Sequence, residues 1–387
     1  MHTSLPLVVA VIVLAVSFDF INGFHDTANA IATTVSTKAL PPKTAIALAA
    51  VMNFVGALAF TGVAKTIGGK IADPAKLEFG VLIVLAALLA AIFWNLVTWW
   101  YGIPSSSSHA LIGSVVGAVL ASAGMQQINW NGFLEIFEAL ILSPIIALMA
   151  AFLLMKLVYA LFRSIHIPPA KVNRGFRYFQ IVTAALQSFT HGTNDAQKAM
   201  GIIVFALVAA GLHTDTATIP FWVQLICAIS MGLGTSVGGW KIIKTVGGKI
   251  TKIEPINGAT ADLSSSTIIF TFTQLGLPVS STHVISSGIM GVGAAKRLKG
   301  VNWGVAKRII ITWFITLPIS ALLAAFFYYV LSLFFNEGLY SKPPLPMSLS
   351  VITASIFWFR ACEHPTRSSL PCHSSMKSTT ASSDICC

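Results

Sequence analysis

Four polar side chains interrupt an otherwise apolar N-terminal run: Asp19, Asn22, Asp26 and Asn29, at intervals of 3, 4 and 3 residues. That spacing lines them along one face of a helix. The same rhythm returns as Ser188, His191, Asp195 and Lys198. Acids at membrane depth are costly, and they bind a cation or exchange a proton; the alternative is a packing or snorkelling stripe. The equivalent placement of Asp26 and Asp195 favours the functional reading. Lys198, one turn from Asp195, either neutralises that acid or attracts an anion. Asn29 holds its place in the first stripe, so the two stripes are not chemically identical. Gly23 and Gly192 precede the acids and are expected to let the helices break there, freeing backbone groups for ligands.

A second pair of motifs is rich in hydroxyls: PSSSSH from Pro104 and PVSSTH from Pro278. Proline followed by serines suits a helix start, where free amides and the positive end of the helix dipole favour an anion. Ser106, Ser107, Ser108, Ser280, Ser281 and Thr282 supply donors without adding a buried charge. Two such starts facing one another form a cradle for one tetrahedral oxyanion. Either motif alone would equally serve as a cap or an interhelical bond. His109 and His283 close the motifs as ligands, proton carriers or capping donors. The presence of Ser, His and Asp also permits an intramembrane serine hydrolase, but there is no G-x-S-x-G element and the duplication suits binding better than one nucleophile.

The elements that must position these residues are set by composition. The chain has 387 residues, 55% hydrophobic and only 10% charged, so a bilayer rather than water is its main solvent. Apolar runs at 5–22, 43–64, 80–100, 134–162, 220–240 and 308–335 approach or exceed the length of a helical span. The segments 104–123 and 278–295 are apolar but rich in Ser and Gly, and read as spans or re-entrant helices. The runs are continuous rather than alternating, which selects helices over a β-barrel. No removable signal peptide is expected in the first run. The net charge of +11 is assigned to basic loops on the cytoplasmic side, not to nucleic acid. Of five cysteines only Cys227 lies among the spans, and none has metal-site or disulfide spacing.

Four segments recur in order: NGFHDTANA and HGTNDAQKA, KTIGGKI and KTVGGKI, PSSSSH and PVSSTH, INW and VNW, each second copy about 170 to 180 residues downstream. The expected fold is therefore an all-α integral membrane protein of two inverted-topology repeats, each of about five to six helical segments, with broken or re-entrant helices at the site. An odd number of crossings per repeat forces the inversion. Charge agrees: loop 124–133 has no Lys or Arg, whereas 296–308 carries Lys296, Arg297, Lys299, Lys307 and Arg308. The repeats are expected at 1–162 and 178–335, joined by a basic cytoplasmic linker at 163–177 and followed by a polar, disordered tail at 336–387. The two GGK loops fit this topology less cleanly, since they place Lys65, Lys70 and Lys76 on the expected outer side.

At these motifs the sequence resembles the PiT family of inorganic phosphate transporters, of low-affinity bacterial type, over about residues 15–335. The resemblance implies secondary active symport of phosphate driven by protons or sodium, and extends to carriage of phosphate as a divalent-metal complex. By motif match, Asp26, Asn29, Asn194 and Asp195 inherit the cation or coupling role, and the two serine clusters inherit the anion role. EPING at Glu254 to Gly258 adds Glu254 and Asn257 as lesser candidates. Departures are His25, where Asn is common, and Gln197 with Lys198; His25 and Lys198 look like the proton-linked branch. Relatives of the family include sulfate permeases, so a sulfate or other oxyanion permease is the alternative. The resemblance implies no enzyme activity, no cofactor and no metal centre. Expected partners are phosphate, a coupling cation and the lipid bilayer of the cell membrane, with a homodimer left open.

Overall fold

The computed structural model describes residues 5–163 and 169–335. The expected tail at 336–387 and residues 164–168 of the expected linker lie outside the described residues. Among the described residues, twelve α-helices follow one another in two series of six. The first comprises α1 (Leu5–Ser36), α2 (Pro42–Ala57), α3 (Gly62–Gly69), α4 (Gly80–Tyr101), α5 (Ser107–Ala123) and α6 (Trp130–Arg163). The second comprises α7 (Pro169–Ala209), α8 (Phe221–Val237), α9 (Trp240–Gly248), α10 (Pro255–Gln274), α11 (Ser281–Lys296) and α12 (Trp303–Phe335). Four of these, α1, α4, α6 and α12, are long and apolar enough to cross a membrane, or up to six spans if each bent pair counts as one. The bent pairs are α2 with α3 and α8 with α9, each turning by 68°.

The series correspond element for element and exchange partners. α5 packs on α12 while α11 packs on α6; α2 and α3 pack on α7 while α8 and α9 pack on α1. The correspondence reaches single atoms. Asn129 N donates to Ile71 O at 2.9 Å, and Asn302 N donates to Ile250 O at 2.8 Å, each beside one isolated bridge. Glycine makes the closest crossings: a Cβ on Gly56 would lie 2.2 Å from Phe189 O, and one on Gly234 2.0 Å from Phe20 O. Both contacts are with backbone, which cannot swing aside.

Gly23 and Gly192 have the same use. α1 and α7 run unbroken through them, contrary to the expected helix breaks, because each glycine admits a neighbouring helix: Met231 O would lie 2.6 Å and Asn53 O 2.3 Å from an added Cβ. The chain is broken instead between α2 and α3, between α8 and α9, and at the two serine motifs. The GGK segments are not loops but the ends of α3 and α9. On the first, Lys70 pairs with Glu135 at 2.7 Å and Lys76 with Asp73 at 3.1 Å, so two of its three lysines are offset by acids. The described part of the expected linker is helical, with Lys171, Arg174 and Arg177 on the first turns of α7.

The apolar interior consists of two clusters. One gathers Val11, Phe18, Leu88, Ile112 and Ile203; the other gathers Ile31, Ile242, Ile269, Val284 and Met290. Asp26, Asp195 and the hydroxyl residues of the two serine motifs belong to neither, and are buried. Outward-facing Leu142, Leu153, Phe314 and Phe326 on α6 and α12 form an apolar rim, with Trp100, Tyr101, Trp130, Trp222 and Trp303 exposed near helix ends. Such aromatic placement marks the two membrane interfaces.

Candidate functional site

Ser106 and Ser280 sit at equivalent points, each in extended backbone just before its helix. Each hydroxyl accepts from the backbone N–H of the motif's histidine, at 3.1 Å from His109 and 3.2 Å from His283. This capping leaves the next two hydroxyls of each motif free to point elsewhere. Ser107 Oγ donates to Asp26 Oδ2 at 2.5 Å, and Thr282 Oγ1, from the other half, donates to Asp26 Oδ1 at 3.0 Å. Ser281 Oγ donates to Asp195 Oδ2 at 3.0 Å. Ser108 Oγ donates to Val279 O at 2.8 Å, tying one motif to the other. The His109 and His283 rings lie 4.5 Å apart, and His283 stacks on Trp313 at 4.0 Å. The two helix starts therefore meet, and α1 and α7 deliver their acids to the junction.

The acids are held differently. Asp26 Oδ1 accepts from His25 Nδ1 at 2.7 Å; the other ring nitrogen meets Thr98 Oγ1 at 3.1 Å, which accepts from Ser105 Oγ at 2.8 Å. In the second half Asn194 stands where His25 does. Its amide donates to Asp195 Oδ1 at 2.7 Å and to Val279 O at 3.0 Å, and its carbonyl accepts from Val279 N at 3.3 Å. Both residues thus anchor an acid to the chain around a serine motif, one through an imidazole and the other through an amide. Asn29 Nδ2 donates to Thr282 Oγ1 at 3.0 Å. Its counterpart Lys198, fully buried, places Nζ 2.9 Å from Asp195 Oδ2 and 3.1 Å from Ser107 Oγ.

Twelve of the fourteen candidate residues fall in this region: Ser106, Ser107, Ser108, Ser280, Ser281, Thr282, Lys198, His25, Asp26, Asn29, Asn194 and Asp195. The EPING pair is placed elsewhere. Glu254 is partly exposed and bonded to Lys296 at 2.8 Å, and Asn257 accepts from Tyr159 at 3.3 Å. Residues that the motifs did not reveal also contribute. Asn53 on α2 accepts from His191 Nδ1 at 3.1 Å, while Asn22, already part of the first stripe, reaches Asp195 Oδ2 at 3.5 Å. Asp262 on α10 accepts from Thr33 at 2.8 Å. The available signal was, for Asn53, a lone polar residue beyond the first turn of an apolar helix and, for Asp262, the one charged residue of α10.

Buried helix starts lined with hydroxyls, beside paired acids inside a membrane-embedded helical bundle, are the arrangement of a carrier for a small anion. Comparison with known proteins specifies the class. Residues 22–324 match the Phosphate transporter family, and the chain belongs to it. It is 64% identical to a probable low-affinity inorganic phosphate transporter of Bacillus subtilis over 87% of this chain and 100% of that one. It is 40% identical to a protein of the same description from Mycobacterium bovis, covering 94% of this chain and 86% of the relative. A solved structure of a protein described as the sodium-dependent phosphate transporter has the same fold, with a TM-score of 0.78 at 28% identity, over 85% of this chain and 100% of that one. The chain is accordingly a membrane transporter and not an enzyme.

Proposed function

We propose that the chain is a secondary active symporter of inorganic phosphate in the cell membrane, with phosphate held where α5 and α11 begin. The observation that carries this reading is the convergence of Ser107 and Thr282, from opposite halves, on one carboxylate. Hydroxyls that donate to Asp26 can turn to phosphate oxygens when the acid takes up a cation or proton. Binding of anion and cation is then mutually favourable, since each removes a cost of burying the other. Coupling is to protons or sodium at the acid pair that Asp26, with His25, forms with Asp195. The sodium dependence by which the structural relative is described supports cation coupling in general, while His25 beside Asp26 favours the proton. Hydroxyl donors also suit a neutral metal–phosphate complex.

The inverted arrangement belongs to the same reading. Each half has five passes if α4 and α5 both cross, or three if they form a re-entrant hairpin, and either odd number inverts the second half. Phosphate, rather than sulfate, is favoured because it retains a proton near neutral pH and can donate to Asp26 or Asp195 when either is ionised. Competition tests this. Excess unlabelled phosphate should abolish labelled phosphate uptake in vesicles, and equimolar sulfate should leave most of it. Equal inhibition by sulfate would favour the broader oxyanion permease.

A further inference from the structure

The two stripes differ most at Asn29 and Lys198, which occupy equivalent positions. Asn29 is neutral and spans from α1 to Thr282. Lys198 brings a full positive charge to the same depth, with no exposed surface, and its Nζ rests between an acid oxygen and a serine oxygen. Two oxygens about 3 Å away are the surroundings that a bound monovalent cation would also seek. Asp195 is otherwise served by neutral groups: the hydroxyl of Ser281 and the amides of Asn22 and Asn194. His191 Nε2, at 3.4 Å, lies outside hydrogen-bonding geometry. Asp26 has no lysine or arginine in direct ion-pair contact among the described residues; its own partners are His25, Ser107 and Thr282, and Lys198 reaches it only through the Ser107 hydroxyl. Charge is thus supplied covalently on one side of the junction and left to be supplied on the other.

We infer that the Lys198 ammonium is a tethered cation that takes the place of a free coupling cation at Asp195, so that cation coupling is confined to the Asp26 side. The inference rests on the symporter reading and specifies its coupling. An ammonium joined to the backbone neutralises Asp195 without the entropy loss of capturing an ion, and it cannot leave with the substrate. The second half therefore serves as a fixed part of the phosphate cradle. The first half carries the exchangeable charge, which makes the cation stoichiometry one lower than two symmetric acids would give.

Replacing Lys198 by Asn makes the halves alike and opens a place for a cation. With the proton that His25 favours as the exchangeable charge at Asp26, native uptake of labelled phosphate in vesicles held at one pH should be the same in sodium chloride and choline chloride. Lys198→Asn should be weak in choline and recover about tenfold in sodium, and its thermal midpoint in detergent should rise with sodium while that of the native protein does not. Lys198→Arg, which keeps the charge, should remain indifferent to sodium. The larger amide of Lys198→Gln provides the same test if the Asn variant does not accumulate. Amide variants whose uptake and thermal midpoint gain no more from sodium than those of the native protein overturn the inference. A native protein that moves no phosphate in either salt instead removes the symporter reading beneath it.

Discussion

Asp195 receives an ammonium, a hydroxyl and two amides in a site closed to water, so loss of its charge strands Lys198 without a counter-ion. Breaking a buried pair from one side costs about 3–5 kcal/mol. Asp195→Asn should therefore lower the thermal midpoint in detergent, and addition of Lys198→Met should restore part of it, because both charges then leave together. A double variant no more stable than Asp195→Asn alone would contradict the pairing. Asp26 has no lysine of its own, so Asp26→Asn should leave membrane insertion intact and lower the unfolding midpoint less than Asp195→Asn does, while removing gradient-driven uptake. Normal uptake by this variant would remove Asp26 from the coupling machinery. The residues of this centre were largely legible in the sequence because they recur at one helical spacing in two copies. Asn53, Thr98 and Asp262 were not, since each meets partners on another helix and leaves no periodic trace. Glu254 shows the converse: a pattern taken from the family resemblance located an acid, but its lysine partner at the protein surface accounts for it.

At the scale of elements, the molecule depends on helices crossing at backbone distance. Gly56 against Phe189 and Gly234 against Phe20 are the same contact made twice. Gly56→Ala and Gly234→Ala should each destabilise by about 1–3 kcal/mol, the usual penalty for overpacking a core. Gly175, exposed on α7 with open space around its Cα, gives the control: Gly175→Ala should be neutral or stabilising by up to about 1 kcal/mol. Equal losses at all three positions, measured by thermal unfolding, would contradict the close-crossing argument. Apolar length identified α1, α4, α6 and α12 directly. It could not identify α7 or α10, whose buried polar residues lower their hydropathy, and it could not tell a break beside an acid from a glycine that admits a neighbour. Hydropathy measures composition, while both features depend on what stands opposite.

At the scale of the whole molecule, the exchange of partners between halves follows from duplication. α5 needs α12 and α11 needs α6, so neither half completes its own packing. Sequence located the repeat boundaries through four ordered matches but gave no sign that the repeats interlock, because that information lies in contacts between residues far apart in the chain. The proposed inversion can be read by labelling. With tail cysteines Cys362, Cys372, Cys386 and Cys387 changed to Ser, Gln126→Cys should react with a membrane-impermeant thiol reagent from outside intact cells. Lys299→Cys, its exposed counterpart, should react only after permeabilisation. Labelling of both from the same side would refute the inverted topology.

Phosphate uptake driven by an imposed ion gradient tests the central claim most directly. With the purified protein in sealed vesicles, labelled phosphate should accumulate above its external concentration while an inward proton or sodium gradient lasts, and should leave when an ionophore dissipates that gradient. Equilibration to the external concentration regardless of either gradient would contradict the account, because the paired acids would then have no part in moving phosphate.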